Sequence, residues 1–263
     1  MQDFFGFNDY DGVPIEGAYS WQHLTFVLTL IVIMVAAAIY FGLRDKEKTL
    51  EEKNKVLVIS AIALLAVEIF RIAIIAIRSD EPLDIILMNL PLFLCSIQLI
   101  ALPVAAFSKG RIKEAALDFV FIFGLLGAIL GTIGAAQNYD SYPVLSIDNV
   151  GNGLTHVIPG FASLYIGISN MVSMKKENIW ITVCILLSFC LAAMIANALI
   201  DYNYMFLIRG DGTPYDIIYN LVGGNPIIYP LCVILLFFVY IVVFYEVYFV
   251  VVKKECFGIE NNN

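Results

Sequence analysis

A cysteine, Cys95, stands in the apolar run Leu90-Pro91-Leu92-Phe93-Leu94-Cys95-Ser96-Ile97-Gln98, and a histidine, His156, in Gly153-Leu154-Thr155-His156-Val157. An imidazole that takes a thiol's proton makes the sulfur a nucleophile, and a thioester then divides one difficult acyl transfer into two easier ones. Only two histidines occur in the 263 residues. The other, His23, opens the first apolar stretch and reads as a hydrogen-bonded helix-end residue. Of the five cysteines, Cys184, Cys190 and Cys232 stand among Ile, Leu, Phe and Val, and Cys256 follows a Lys-Lys pair. Among those inside apolar runs, Cys95 alone has polar company: Gln98 three residues on and Asn89 six residues back. Asn89 or Gln98 could hydrogen-bond an oxyanion that develops on a carbonyl under attack. The plainer reading stays open, because buried cysteines are usually inert packing.

Ionisable and amide side chains at membrane depth are costly, so each is a candidate for function. Glu68 and Arg71 lie three apart and share a helical face. They read as a buried ion pair that brackets something else, or as contacts for a substrate headgroup. Asp118 is expected near headgroup level. Asn197 adds a polar group to a later apolar stretch. The segment 201–225 is the longest polar connection, with four tyrosines suited to a water interface. Arg209, its only cation, could meet a phosphate or carboxylate, and Thr213-Pro214 predicts a short interfacial helix over 214–221.

These residues need elements to position them. The chain is 60% hydrophobic and 14% charged, against about a quarter charged in soluble domains, which marks an integral membrane protein. Seven stretches approach the length of about 20 apolar residues that a bilayer demands: 23–43, 56–77, 84–107, 115–136, 154–174, 179–200 and 226–252. The reading is therefore an all-α, polytopic membrane protein, a seven-transmembrane-helix bundle forming a single transmembrane domain over 1–263. Alternate connections (44–55, 108–114, 175–178 and the tail with Lys253 and Lys254) hold 12 of the 15 basic residues. The positive-inside rule then sets the N-terminus outside and the C-terminus in the cytoplasm. The acidic first 22 residues lack a basic n-region, so the first apolar stretch is expected to stay as a span.

Counted from the same face, His156 lies about one turn into its stretch. Cys95 lies about 16 Å past Asp84 if the helix is continuous. Those depths do not coincide unless Asp84 through Asn89 protrudes or His156 lies deeper. Gly124, Gly127, Gly131 and Gly134 fall on one face of the fourth stretch and predict close backbone packing. Pro91, Pro103, Pro159 and Pro230 read as kinks. The net charge of −8 gives no basic surface for nucleic acid. No P-loop, GxGxxG, HExxH or CxxC spacing occurs, so no cofactor and no metal are expected.

The Leu90–Cys95 segment, the later His156, and Asn203-Tyr204-Met205-Phe206-Leu207 followed by Arg209 resemble the YwaF family of bacterial membrane proteins. Animal transmembrane protein 164 is among its relatives, and the resemblance spans most of the chain. It implies a polytopic helical protein of the bacterial plasma membrane. From the animal branch it implies a Cys/His enzyme that moves fatty acyl chains between phospholipids. Cys95 would then be the acyl acceptor, His156 its base, and Asn203-Tyr204 a lining or cap of the site. Bacterial members often carry His where this chain has Phe93. The expected function is a lipid-modifying enzyme, an acyltransferase or acyl hydrolase acting on membrane phospholipids or other acyl lipids. A non-covalent lipid or metabolite carrier using Glu68, Arg71, Asn197 and Arg209 is the rival, and a structural membrane subunit the third reading.

Overall fold

The computed structural model describes residues 2–172 and 174–260, with backbone alone for residue 2 and for 252–260. The side chains of Lys253, Lys254 and Cys256 therefore lie outside the described residues. The regular elements among the described residues are all helical: α1 (Gln2–Phe5), α2 (Trp21–Asp45), α3 (Leu50–Arg78), α4 (Pro82–Met88), α5 (Gln98–Phe107), α6 (Gly110–Ile133), α7 (Ala136–Ser141), α8 (Ile147–Ile168), α9 (Asn178–Ile200), α10 (Tyr215–Leu221) and α11 (Ile228–Glu260), with a 3-10 turn at Tyr204–Phe206. Two compact units result, Met1–Val172 and Ser173–Asn263.

Five helical stretches are long and apolar enough to cross a membrane: Trp21–Asp45, Leu50–Arg78, Gly110–Ser141, Asn178–Ile200 and Ile228–Val251. Large apolar side chains such as Ile69, Trp180 and Leu199 stand exposed on them, as lipid-facing surfaces require. The helices α3 and α6 begin at Leu50 and Gly110, ahead of their expected starts at 56 and 115, and two spans differ from their hydropathy outlines in kind. The 84–107 stretch is not one helix: α4 stops at Met88 and α5 starts only at Gln98. Pro91 has no N–H and disfavours helical geometry at Leu90. Leu92 N–H instead bonds Leu90 O at 2.7 Å, and four-residue bonding resumes with Ile97 N–H to Phe93 O at 3.0 Å. The prolines thus act unequally, since Pro103 and Pro159 stay inside α5 and α8.

The second difference is α8, which begins seven residues before the apolar stretch at 154. Ser146 caps it, its side chain accepting from Asn149 N–H at 3.2 Å. The first turns carry Asp148, Asn149 and Asn152, so the helix is less apolar than its neighbours yet lies at the centre of the first unit. It packs on α6, α2 and α3. Small residues let it do so: Gly153 lies against Phe26 and Leu30, Gly160 against Met34 and Ala128, and Gly124 of α6 against Pro159 and Ser163.

Both ends of α8 are tied down. Near its N-terminus, Asp148 receives Arg78 Nη2 and the Tyr10 hydroxyl, each at 2.5 Å, and Arg78 also donates to Phe5 O at 3.0 Å. Near its C-terminus, the Tyr165 hydroxyl lies 3.1 Å from Asp45 Oδ2 and 3.2 Å from Lys53 O. His23 is the helix-end residue expected: buried, its Nδ1 accepting from Tyr19 N–H at 2.8 Å, its ring stacked on Tyr139. Asp118 is fully buried.

In the second unit α9 packs on α11, with Thr182 Oγ1 3.3 Å from the Tyr245 hydroxyl. The interfacial helix predicted after Thr213-Pro214 is α10.

Candidate functional site

Cys95 and His156 meet. Thiol and imidazole line one cavity of about 20 Å³ with Leu64, Glu68, Ser96, Gln98, Leu99 and Thr155, near enough for each to act electrostatically on the other. The predicted mismatch in depth vanishes for two physical reasons. Because α8 starts at Ile147, His156 is nine residues into its helix, about 13 Å at 1.5 Å per residue. Because residues 89–97 are not helical, the rise from Asp84 to Cys95 is not a helical rise. Irregular backbone in an apolar setting survives where protein or a cavity surrounds it, and here it carries the cysteine.

The imidazole is held in one tautomer. Its Nδ1 lies 2.7 Å from Asn152 O, one helical turn earlier. A carbonyl only accepts, so Nδ1 carries the ring proton and Nε2 offers its lone pair to the thiol. The Asn152 side chain in turn donates to Gly131 O at 3.3 Å. Cys95 and His156 are both partly exposed, and Ser96 Oγ lies 4.0 Å from Cys95 Sγ.

The glycine face of α6 forms the floor of this pair. A Cβ on Gly131 would come closer than 3.0 Å to the imidazole, and one on Gly127 would stand 3.4 Å from Cys95 Cβ. Sequence reasoning finds the glycine spacing and assigns it to packing alone. Asn152, Ser96 and Thr155 escape it. Asn152 could have been found as the i−4 carbonyl of a helical histidine.

Glu68 and Arg71 form the ion pair. Arg71 Nε and Nη2 donate to the two Glu68 oxygens, both at 2.8 Å, and Nη2 also donates to Asn89 Oδ1 at 2.8 Å. Gly151 of α8 makes room for the Arg71 stem. Asn89 Nδ2 donates to Ile85 O at 2.8 Å, so both ends of the Asn89 amide are engaged. Gln98 differs: it is 1% exposed, and neither Nε2 nor Oε1 has a hydrogen-bond partner.

The remaining candidates belong to the second unit. Asn197 pairs with the Tyr204 backbone through both amide ends, at 3.1 and 2.6 Å. Asn203 donates to Arg209 O and Asp211 Oδ2 and accepts from Ile208 N–H, at 2.7–2.9 Å. The Arg209 guanidinium pairs with Asp211 at 2.5 Å, and Tyr204 is fully buried. These four build the loop after α9, each through named partners.

Fold and site together define an all-helical, multi-pass membrane protein with a thiol–imidazole pair inside its first helical unit. The chain belongs to the TMEM164 family, whose family model matches residues 18–246. No curated protein sequence and no solved structure gives a match.

Proposed function

We propose that this protein is a lipid-modifying enzyme that transfers fatty acyl chains, with Cys95 as nucleophile and His156 as base. The observation that carries the reading is that the two side chains line one small cavity, with the histidine held by Asn152 in the tautomer that can accept a proton. In the first half-reaction the Cys95 sulfur attacks the carbonyl carbon of a phospholipid ester while its proton passes to His156 Nε2. The carbon–oxygen bond to the lysolipid breaks, the imidazolium returns the proton to the departing oxygen, and an acyl thioester remains on Cys95. In the second, an acceptor hydroxyl, or water in a hydrolase, gives its proton to His156 and attacks the thioester. Cys95 leaves as the thiol. The cavity takes a carbonyl-sized group, so the alkyl chain stays outside it, among the exposed apolar helix faces.

The same reading assigns seven crossings: α2, α3, the broken α4–α5 stretch, α6, α8, α9 and α11. The N-terminus lies outside and the C-terminus in the cytoplasm, in a bacterial plasma membrane. The basic connections support this orientation. The deciding experiment reconstitutes the full chain with a phospholipid labelled in its acyl chain. A hydroxylamine-sensitive label on Cys95, absent in Cys95→Ala and strongly slowed in His156→Ala, is expected. Equal transfer by wild type and Cys95→Ala, or none by either, overturns the reading.

A further inference from the structure

Gln98 is unusual among the side chains around the cavity. It opens α5 three residues after Cys95, is 1% exposed, and lines the same space as Cys95 and His156. Both its amide atoms are buried without a partner. Buried amides are nearly always paired, because leaving donor and acceptor unsatisfied is unfavourable. Exchanging the oxygen and nitrogen positions does not help, since both ends are unpaired. Two other amides near the site have partners: Asn89 is engaged by Arg71 and Ile85, and Asn152 donates to Gly131 O.

We infer that the Gln98 amide is the site's acyl-recognition group: Nε2 donates to the carbonyl oxygen as it becomes the oxyanion, and Oε1 accepts from the hydroxyl of the alcohol released or received. An ester in transfer supplies the two complements this amide lacks, an acceptor oxygen and, on the alcohol, a donor hydrogen. A donor already in place needs no reorganisation as charge develops, and it acts most strongly where water is excluded. The inference rests on the Cys95–His156 reading and adds to it the side chain that recognises the ester in transfer.

The test compares two reactions of Cys95 in the full-length protein. Acylation, from labelled phospholipid and separately from p-nitrophenyl palmitate, builds an oxyanion. Alkylation by iodoacetamide attacks a saturated carbon and builds none, so it reports only on the thiol and its base. Gln98→Met and Gln98→Leu are expected to slow acylation by about 10²–10³-fold while alkylation stays within about threefold of wild type. Unchanged acylation overturns the inference. So does a parallel fall in both reactions in both variants, which makes Gln98 a packing residue for the pair. If phospholipid donates nothing but p-nitrophenyl palmitate acylates Cys95 in a Gln98-dependent way, the role of Gln98 stands and the phospholipid assignment falls. Wild-type Cys95 that accepts an acyl group from neither donor overturns both.

Discussion

At the scale of single residues, the site depends on what is absent from α6 as much as on what α8 and the 89–97 segment present. Gly131→Val would drive a side chain into the imidazole. We expect it to abolish acyl labelling of Cys95 and to destabilise the protein by about 1–3 kcal/mol through overpacking, read as a lower thermal midpoint in detergent. The Glu68–Arg71 pair makes a different prediction. Arg71→Met leaves a buried carboxylate without its cation, which costs about 3–5 kcal/mol, and adding Glu68→Gln should recover most of the loss. Recovery is measured as a thermal shift between the single and double variants. Tyr10 titrates outside the membrane helices. Burial, and then its hydrogen bond to Asp148, push its hydroxyl up to about 12 from an ordinary 10. The fold thus favours the neutral phenol: this contribution is complete below pH 10 and is lost as pH rises through 12. Thermal unfolding across pH 10–12 should show a smaller drop in Tyr10→Phe than in wild type.

At the scale of elements, the sequence reading succeeds where a helix is uniformly apolar and goes astray where polarity and helix coexist. The outlines of α2, α9 and α10 follow from hydropathy and turn residues. Those of α8 do not, because Asp148, Asn149 and Asn152 read as loop although they are the first turns of a capped helix. The usable signal is Ser146, an N-cap residue ahead of the polar turn. Its replacement by Ala should cost about 1 kcal/mol, seen as a lower midpoint. The break at 89–97 is equally hidden, since apolar residues fit a helix and an irregular buried segment alike. Pro91 marks the place without saying that bonding stops there. The catalytic candidates Cys95 and His156 were therefore legible as residue types, while their meeting was not. The floor formed by Gly127 and Gly131 was legible as spacing only.

At the scale of the whole molecule, an all-helical membrane chain follows from composition and hydropathy, and family membership over residues 18–246 agrees; of the seven expected spans, five are helical stretches long and apolar enough to cross a membrane. The arrangement of the first unit also has a mechanical consequence. Asp148 at one end of α8 is bound to Arg78 and Tyr10, while Tyr165 near the other is bound to Asp45 and to the Lys53 backbone. A rod pinned at both ends cannot slide along its axis, so His156 keeps a fixed height. The 89–97 segment lies between helices, with four-residue bonding resumed only at Ile97 N–H to Phe93 O. Of the two reacting groups, the histidine thus stands on the braced rod and the cysteine on the irregular chain that follows Pro91.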